Sequence, residues 1–438
     1  MLDRAYRKRL AAELPKWRDA GWVTPDGATA ILSAQPAGRD TFGLATVVGM
    51  FGGLLVGVGV IAFISANWQE IPRVTRLGLL AAGLALAYGA AGILDRRKLR
   101  VFSEVALLVA GLVFAAAIVL VGQSYHLSGE FADAVALWLI GIFGAAAMTG
   151  SPTMTALGLL GGAFWTYTVT VDSGVTPHWA GLAPVLVGAT IATVVASRNA
   201  RLLSVFAFIF WAVLAIGAAG DQHDWPFAGS IALGVAAGLA LFALGAAIAG
   251  IANERLAALG RDAQWPALAA TLIGLGIEQA ADHPSVGEQT LTTLTIVLVV
   301  VAVALAALAA ARKSLALLDA AAIAFLGVAA ILFALNVPAA ELWARAAGAA
   351  MVLVAALWAV NLGQTSTVGA GKSTGLFALG AEVVYLYAVT FGSLMSTAVA
   401  FLLGGVLFIV LAWGLYRLDR HLARSGTNPS AASPEAAP

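Results

Sequence analysis

Three carboxylates, Glu278, Asp319 and Glu382, stand inside stretches otherwise dominated by Ala, Leu, Val, Ile and Gly. A charged side chain at the centre of a bilayer costs about 2.5–3.5 kcal/mol on insertion scales, so each needs a partner, a water-filled cavity or a proton. Asp319 lies about one turn from the cytoplasmic end of its stretch, and Arg312 precedes it at a spacing that shares a helix face. Glu278 lies near the outer end of its stretch, within reach of headgroups. Glu382 is the deepest and is a candidate proton-coupling group. Tyr385 follows at i+3, on the same helical face, placed to hydrogen-bond it.

A second set of polar residues gathers on the outward side. Asn67 and Trp68 close the first apolar stretch, and Gln123, Tyr125 and His126 close the third. Amides, a phenol and an imidazole at one membrane face suit a polar headgroup, a sugar or an ion, so these five are the candidate substrate-binding residues. Helix capping and interfacial anchoring are the structural alternative. His178, His223 and His283 also fall in outward segments, while His421 is inward. The run Asp221-Gln222-His223-Asp224 holds the metal-ligand candidates Asp221, His223 and Asp224. Imidazole and carboxylate are the ligand types zinc takes. No HExxH spacing supports them, and acidic and His residues gather outside wherever Lys and Arg are held inside.

Other chemistries drop out. There are no cysteines, which removes thiolate metal sites, disulfides and cysteine nucleophiles. Gly371-Lys372-Ser373 resembles the end of a phosphate-binding loop. The glycine such a loop needs five residues earlier is Ser366, and no parallel strand precedes it. No GxSxG elbow occurs, so serine hydrolysis has no support. No cofactor and no nucleic-acid partner is implied.

The elements that position these residues are apolar helices. Of 438 residues, 61% are hydrophobic and 11% charged, and the mean hydropathy is +0.92. Those values lie far outside the soluble range and make the bilayer the solvent. Fourteen spans are expected, at about 43–66, 77–94, 105–122, 134–150, 153–171, 179–197, 202–220, 227–252, 263–281, 291–310, 315–335, 342–361, 375–392 and 395–414. Alternating these spans from a cytoplasmic N-terminus places 21 of the 24 Lys and Arg inside and leaves Arg73, Arg76 and Arg345 outside. The positive-inside rule therefore predicts an even span count with both termini cytoplasmic.

Three domains are expected: a basic helical arm over 1–42, a helix bundle over 43–416 and a disordered tail over 417–438. Thr24 followed by Pro25 reads as a helix N-cap and first residue. Glycines at spacing four, Gly49/Gly53/Gly57 and Gly158/Gly162, predict close helix packing. Trp68, Trp179, Trp225, Trp265 and Trp343 fall at expected span ends, as interfacial anchors.

The arm with Trp17, Gly21 and Trp22, the Ser65-Ala66-Asn67-Trp68 and Pro72-Arg73 elements, and Gln123-Ser124-Tyr125-His126-Leu127-Ser128-Gly129 followed by Asp133, Leu137 and Trp138 carry a resemblance. Over about residues 5–150 the chain resembles the bacterial integral-membrane family catalogued as domain of unknown function 2157. The stretch around Glu382 and Tyr385-Leu386-Tyr387 is similar to the C-terminal part of such proteins. The resemblance implies a multi-pass inner-membrane protein and brings no reaction, substrate or cofactor.

The expected fold is an all-α polytopic bundle. The leading functional expectation is a carrier of a small solute or lipid-linked substrate, with the outward polar site and Glu382 as coupling group. The alternative is a non-catalytic membrane scaffold or sensor whose N-terminal arm contacts a cytoplasmic partner. A membrane-embedded transferase comes third, for want of a donor-binding motif.

Overall fold

The computed structural model describes residues 10, 13–34, 52, 55, 59, 72–125, 129–173, 176–281, 289–335, 341–365 and 370–391. Asn67, Trp68, His126, His283, most of the first span with Gly49, Gly53 and Gly57, the fourteenth span and residues 417–438 lie outside them. Every regular element among the described residues is helical. The chain divides into two compact units, Met1–Ser128 and Gly129–Pro438.

The first unit contains α1 (Pro25–Ala34), α2 (Arg73–Arg96) and α3 (Arg100–Tyr125). Thr24 caps α1 as its sequence predicts: its Oγ1 accepts from the Gly27 amide at 3.1 Å. Lys98 in the left-handed conformation (φ 60°) makes the tight α2–α3 turn. The buried Ser103 hydroxyl then donates to the Ala91 carbonyl at 2.9 Å, fastening the hairpin.

The second unit holds α4 (Phe131–Thr149), α5 (Pro152–Ser173), α6 (Leu182–Val194), α7 (Arg198–His223), α8 (Phe227–Ala249), α9 (Glu254–Glu278), α10 (Gln289–Ala311), α11 (Leu317–Ala334), α12 (Glu341–Thr365) and α13 (Gly371–Phe391). Its core gathers around α8, where Leu239, Phe242, Leu268, Leu326 and Ala355 from four helices are fully buried. Glycine sets the closest approaches. A Cβ on Gly260 of α9 would lie 2.5 Å from the Gly245 carbonyl oxygen of α8. One on Gly375 of α13 would lie 2.5 Å from the Ala356 oxygen of α12. The Gly158/Gly162 pair behaves as expected, Gly158 abutting Phe143 of α4 and Gly162 abutting Pro184 of α6.

Among the described residues, nine helices are long and apolar enough to cross a membrane: α2, α3, α4, α5, α7, α8, α10, α11 and α12. Two expected spans take a different form from the one their sequence suggests. The one over 179–197 is a 3-10 turn, Trp179–Gly181, followed by the 13-residue α6. Ala196 at φ 57° ends it, and Ser197 caps α7 by accepting from the Ala200 amide at 3.4 Å. The one over 263–281 is α9, which starts nine residues earlier because Asn253 caps it and because Glu254–Asp262, though charged, is helical. Trp265 is consequently not at a helix end: it stands within α9 and its indole N–H donates to Thr374 Oγ1 at 2.9 Å.

Candidate functional site

Three buried polar side chains stand together where α9 stops: Glu278, Gln279 and Glu382. The Trp265–Thr374 bond joins the first half of α9 to the start of α13. Further along both helices, Gln279 Nε2 donates to Glu382 Oε2 at 2.7 Å. The two helices therefore run in the same direction, and α9 ends beside the middle of α13. From Glu382, α13 continues nine residues to Phe391, about 13 Å at helical rise.

Glu278, Gln279 and Glu382 are 1%, 4% and 2% exposed. Glu382 makes no ion pair with Lys, Arg or His among the described residues. Its Oε1, and Oε1 of Gln279, have no hydrogen-bond partner there. Tyr385 joins the same network, but its hydroxyl donates to the Gln279 carbonyl at 3.3 Å and not to Glu382. The position of α9 depends on Gly348 of α12, where a Cβ would lie 2.7 Å from Gln279 Cβ. A helix C-terminus carries partial negative charge. Together with the buried Glu382 carboxylate it creates a demand for positive charge that a proton or a cation can meet.

The other candidates are distributed differently. Glu278 is 1% exposed and so does not reach toward headgroups. Asp319, 3% exposed, accepts from Trp358 Nε1 of α12 at 3.0 Å. Arg312 does not share its helix: α11 begins at Leu317. Arg312 Nη1 instead donates to the Ala247 carbonyl at 3.1 Å, and Ser314 Oγ to the Ala246 carbonyl at 2.8 Å, capping the end of α8.

Gln123 and Tyr125 are both exposed on the last turn of α3. Asp221, His223 and Asp224 are exposed at the end of α7, with Asp224 at φ 51° and the His223 ring stacked on Trp225 at 5.6 Å. Among the described residues no group of three or more His, Asp or Glu side chains is placed to hold a metal ion. His178 packs edge-on to Trp165 at 4.4 Å, and its carbonyl accepts from Trp211 Nε1 at 2.9 Å. Burial holds its imidazole below the ordinary histidine value.

At the other end of α7, Arg201 grips Asp262 of α9 through Nη2 at 2.7 Å and Nε at 2.8 Å. Arg198 Nε adds a contact to Asp262 Oδ1 at 3.3 Å. This pairing satisfies a nearly buried charge and fastens two helices.

Gln279, Trp358 and Gly348 were not singled out by sequence reasoning. Each owes its role to a partner on a distant segment. The one local signal was Gln279 itself, an amide directly after Glu278 in an apolar stretch.

Residues 15–155 match the family described as "Predicted membrane protein (DUF2157)". The N-terminal motifs thus carry the family resemblance that they suggested. No curated protein and no solved structure matches the chain. The protein is a membrane protein with multiple apolar helices, and those helices lie against lipid.

Proposed function

We propose that this membrane protein is a carrier whose working group is Glu382, which takes up and releases a proton as the end of α9 moves. The observation that carries the reading is the single hydrogen bond from Gln279 to a buried carboxylate that has no ion pair among the described residues, made where one helix ends beside the middle of another. Helices that stop inside a bundle expose polar backbone and suit coupling-ion sites. Protonation of Glu382 Oε2 would remove the acceptor that Gln279 prefers and so loosen α9 from α13.

The reading takes fourteen crossings, both termini in the cytoplasm of a bacterial inner membrane, and division into arm, bundle and tail. The distribution of Lys and Arg supports that orientation. Under it, Gln123 and Tyr125, exposed on the last turn of α3, would offer a polar solute or lipid-linked substrate its first contact, with Asn67, Trp68 and His126 beside them in the sequence pattern.

The test is proton uptake by the purified chain. In detergent, a pH-jump with an indicator dye should show uptake by the wild type that Glu382→Gln lowers by one proton per chain. A purely structural bond between two helices, as in a scaffold, predicts the same uptake for both proteins and contradicts the reading.

A further inference from the structure

Two apolar crevices flank α7. The first, about 800 Å3, lies between α7 and α10 over α8. The second, about 560 Å3, lies between α7 and α9 over α8. They share Phe208, Ala212, Ile216, Trp225, Ala237 and Leu241, so they meet along the α7–α8 gap.

Polar groups collect mainly at one end of each. In the first these are Gln222, His223 and Thr290; in the second, Asp221 and Ser230. The ends coincide, because Gly229 at the start of α8 abuts Leu291 at the start of α10 and α7 finishes at His223. From Thr290 to Leu305 the first crevice follows α10 for about 22 Å. One leaflet's hydrocarbon is about 15 Å deep. Val213, Leu244 and Ile273 are exposed on the walls, so both crevices open sideways onto the apolar belt.

We infer that the two crevices hold one zwitterionic aminophospholipid, an acyl chain in each, with its headgroup where they meet at Trp225. Two joined apolar channels with one shared polar end match a molecule with two tails and one head. Charge selects the head. Among the described residues, the lining of both crevices contains no Lys or Arg. The exposed rim carries Asp221 and Asp224. Carboxylates there attract a primary ammonium and repel a headgroup that is only anionic. Gln222, His223 and Thr290 supply donors for the lipid phosphate. The Trp225 ring offers the ammonium a π-face.

The site is independent of Glu382, and Glu382→Gln should leave the lipid in place. The full chain is reconstituted in nanodiscs of equal phosphatidylethanolamine and phosphatidylglycerol with matched chains, released, and analysed by native mass spectrometry. The expected result is one retained lipid per chain, phosphatidylethanolamine favoured about tenfold. Ala219→Phe fills the first crevice and should expel the lipid. The double change Asp221→Asn/Asp224→Asn alters only exposed side chains, and should keep a lipid while abolishing the headgroup preference. Equal retention of both lipids, no retained lipid in the wild type, or a preference that neither variant alters would overturn the assignment.

Discussion

Asp319 shows how a buried carboxylate is held for structure. A single indole N–H from Trp358 meets it in the first turn of its helix, where the dipole favours negative charge. Trp358→Phe should therefore cost roughly 1–3 kcal/mol, the penalty for stranding a buried acceptor. Unfolding in detergent measures it, and adding Asp319→Leu should recover part of the loss. His178 makes a pH prediction. Its imidazole sits below the ordinary value of 6.5 because burial disfavours the charged form. The unfolded chain then binds the proton more readily, so stability is full above that value. It is lost as pH falls through the lower folded value, and no further loss follows below it. Between about pH 7 and about pH 5, the melting temperature of the wild type should drop more than that of His178→Gln. Equal slopes would remove His178 as the cause.

At the scale of elements, glycine decides how α8 and α9 meet. Gly260→Ala drives a methyl into the Gly245 carbonyl, and overpacking of that kind costs about 1–3 kcal/mol. A thermal shift assay should show this loss, whereas the same change at the open Gly276 should show little. Gly348→Ala should push on Gln279 and weaken its bond to Glu382 without touching either carboxylate. The helices themselves were legible because hydropathy reports burial in lipid directly. The 227–252 span became α8, Phe227–Ala249, and 291–310 became α10, Gln289–Ala311. α9 was misjudged because Glu254, Arg255, Arg261 and Asp262 mask a helix that a cap and an ion pair hold together. The pairing of Gln279 with Glu382 was illegible, being a contact across 103 positions of chain. Hydropathy marks which residues enter the membrane and says nothing about which helices adjoin.

For the molecule as a whole, the lack of native cysteine makes every introduced thiol a clean reporter. Lys98→Cys, in the α2–α3 turn, should react with an impermeant thiol reagent only from the cytoplasm. Tyr125→Cys, at the far end of α3, should react only from outside. Labelling of both from one side would mean that α3 does not cross the membrane and would overturn the topology, and with it the outward site.

The proton-coupling reading requires that Glu382, 2% exposed in this structure, be reached by water in another state. The direct measurement is reaction of Glu382→Cys with a small water-soluble thiol reagent in intact membrane vesicles. The account predicts slow but complete labelling in the folded, membrane-embedded chain. A thiol that stays unmodified in the membrane, yet labels once the chain is unfolded, would show a sealed helix contact and contradict it.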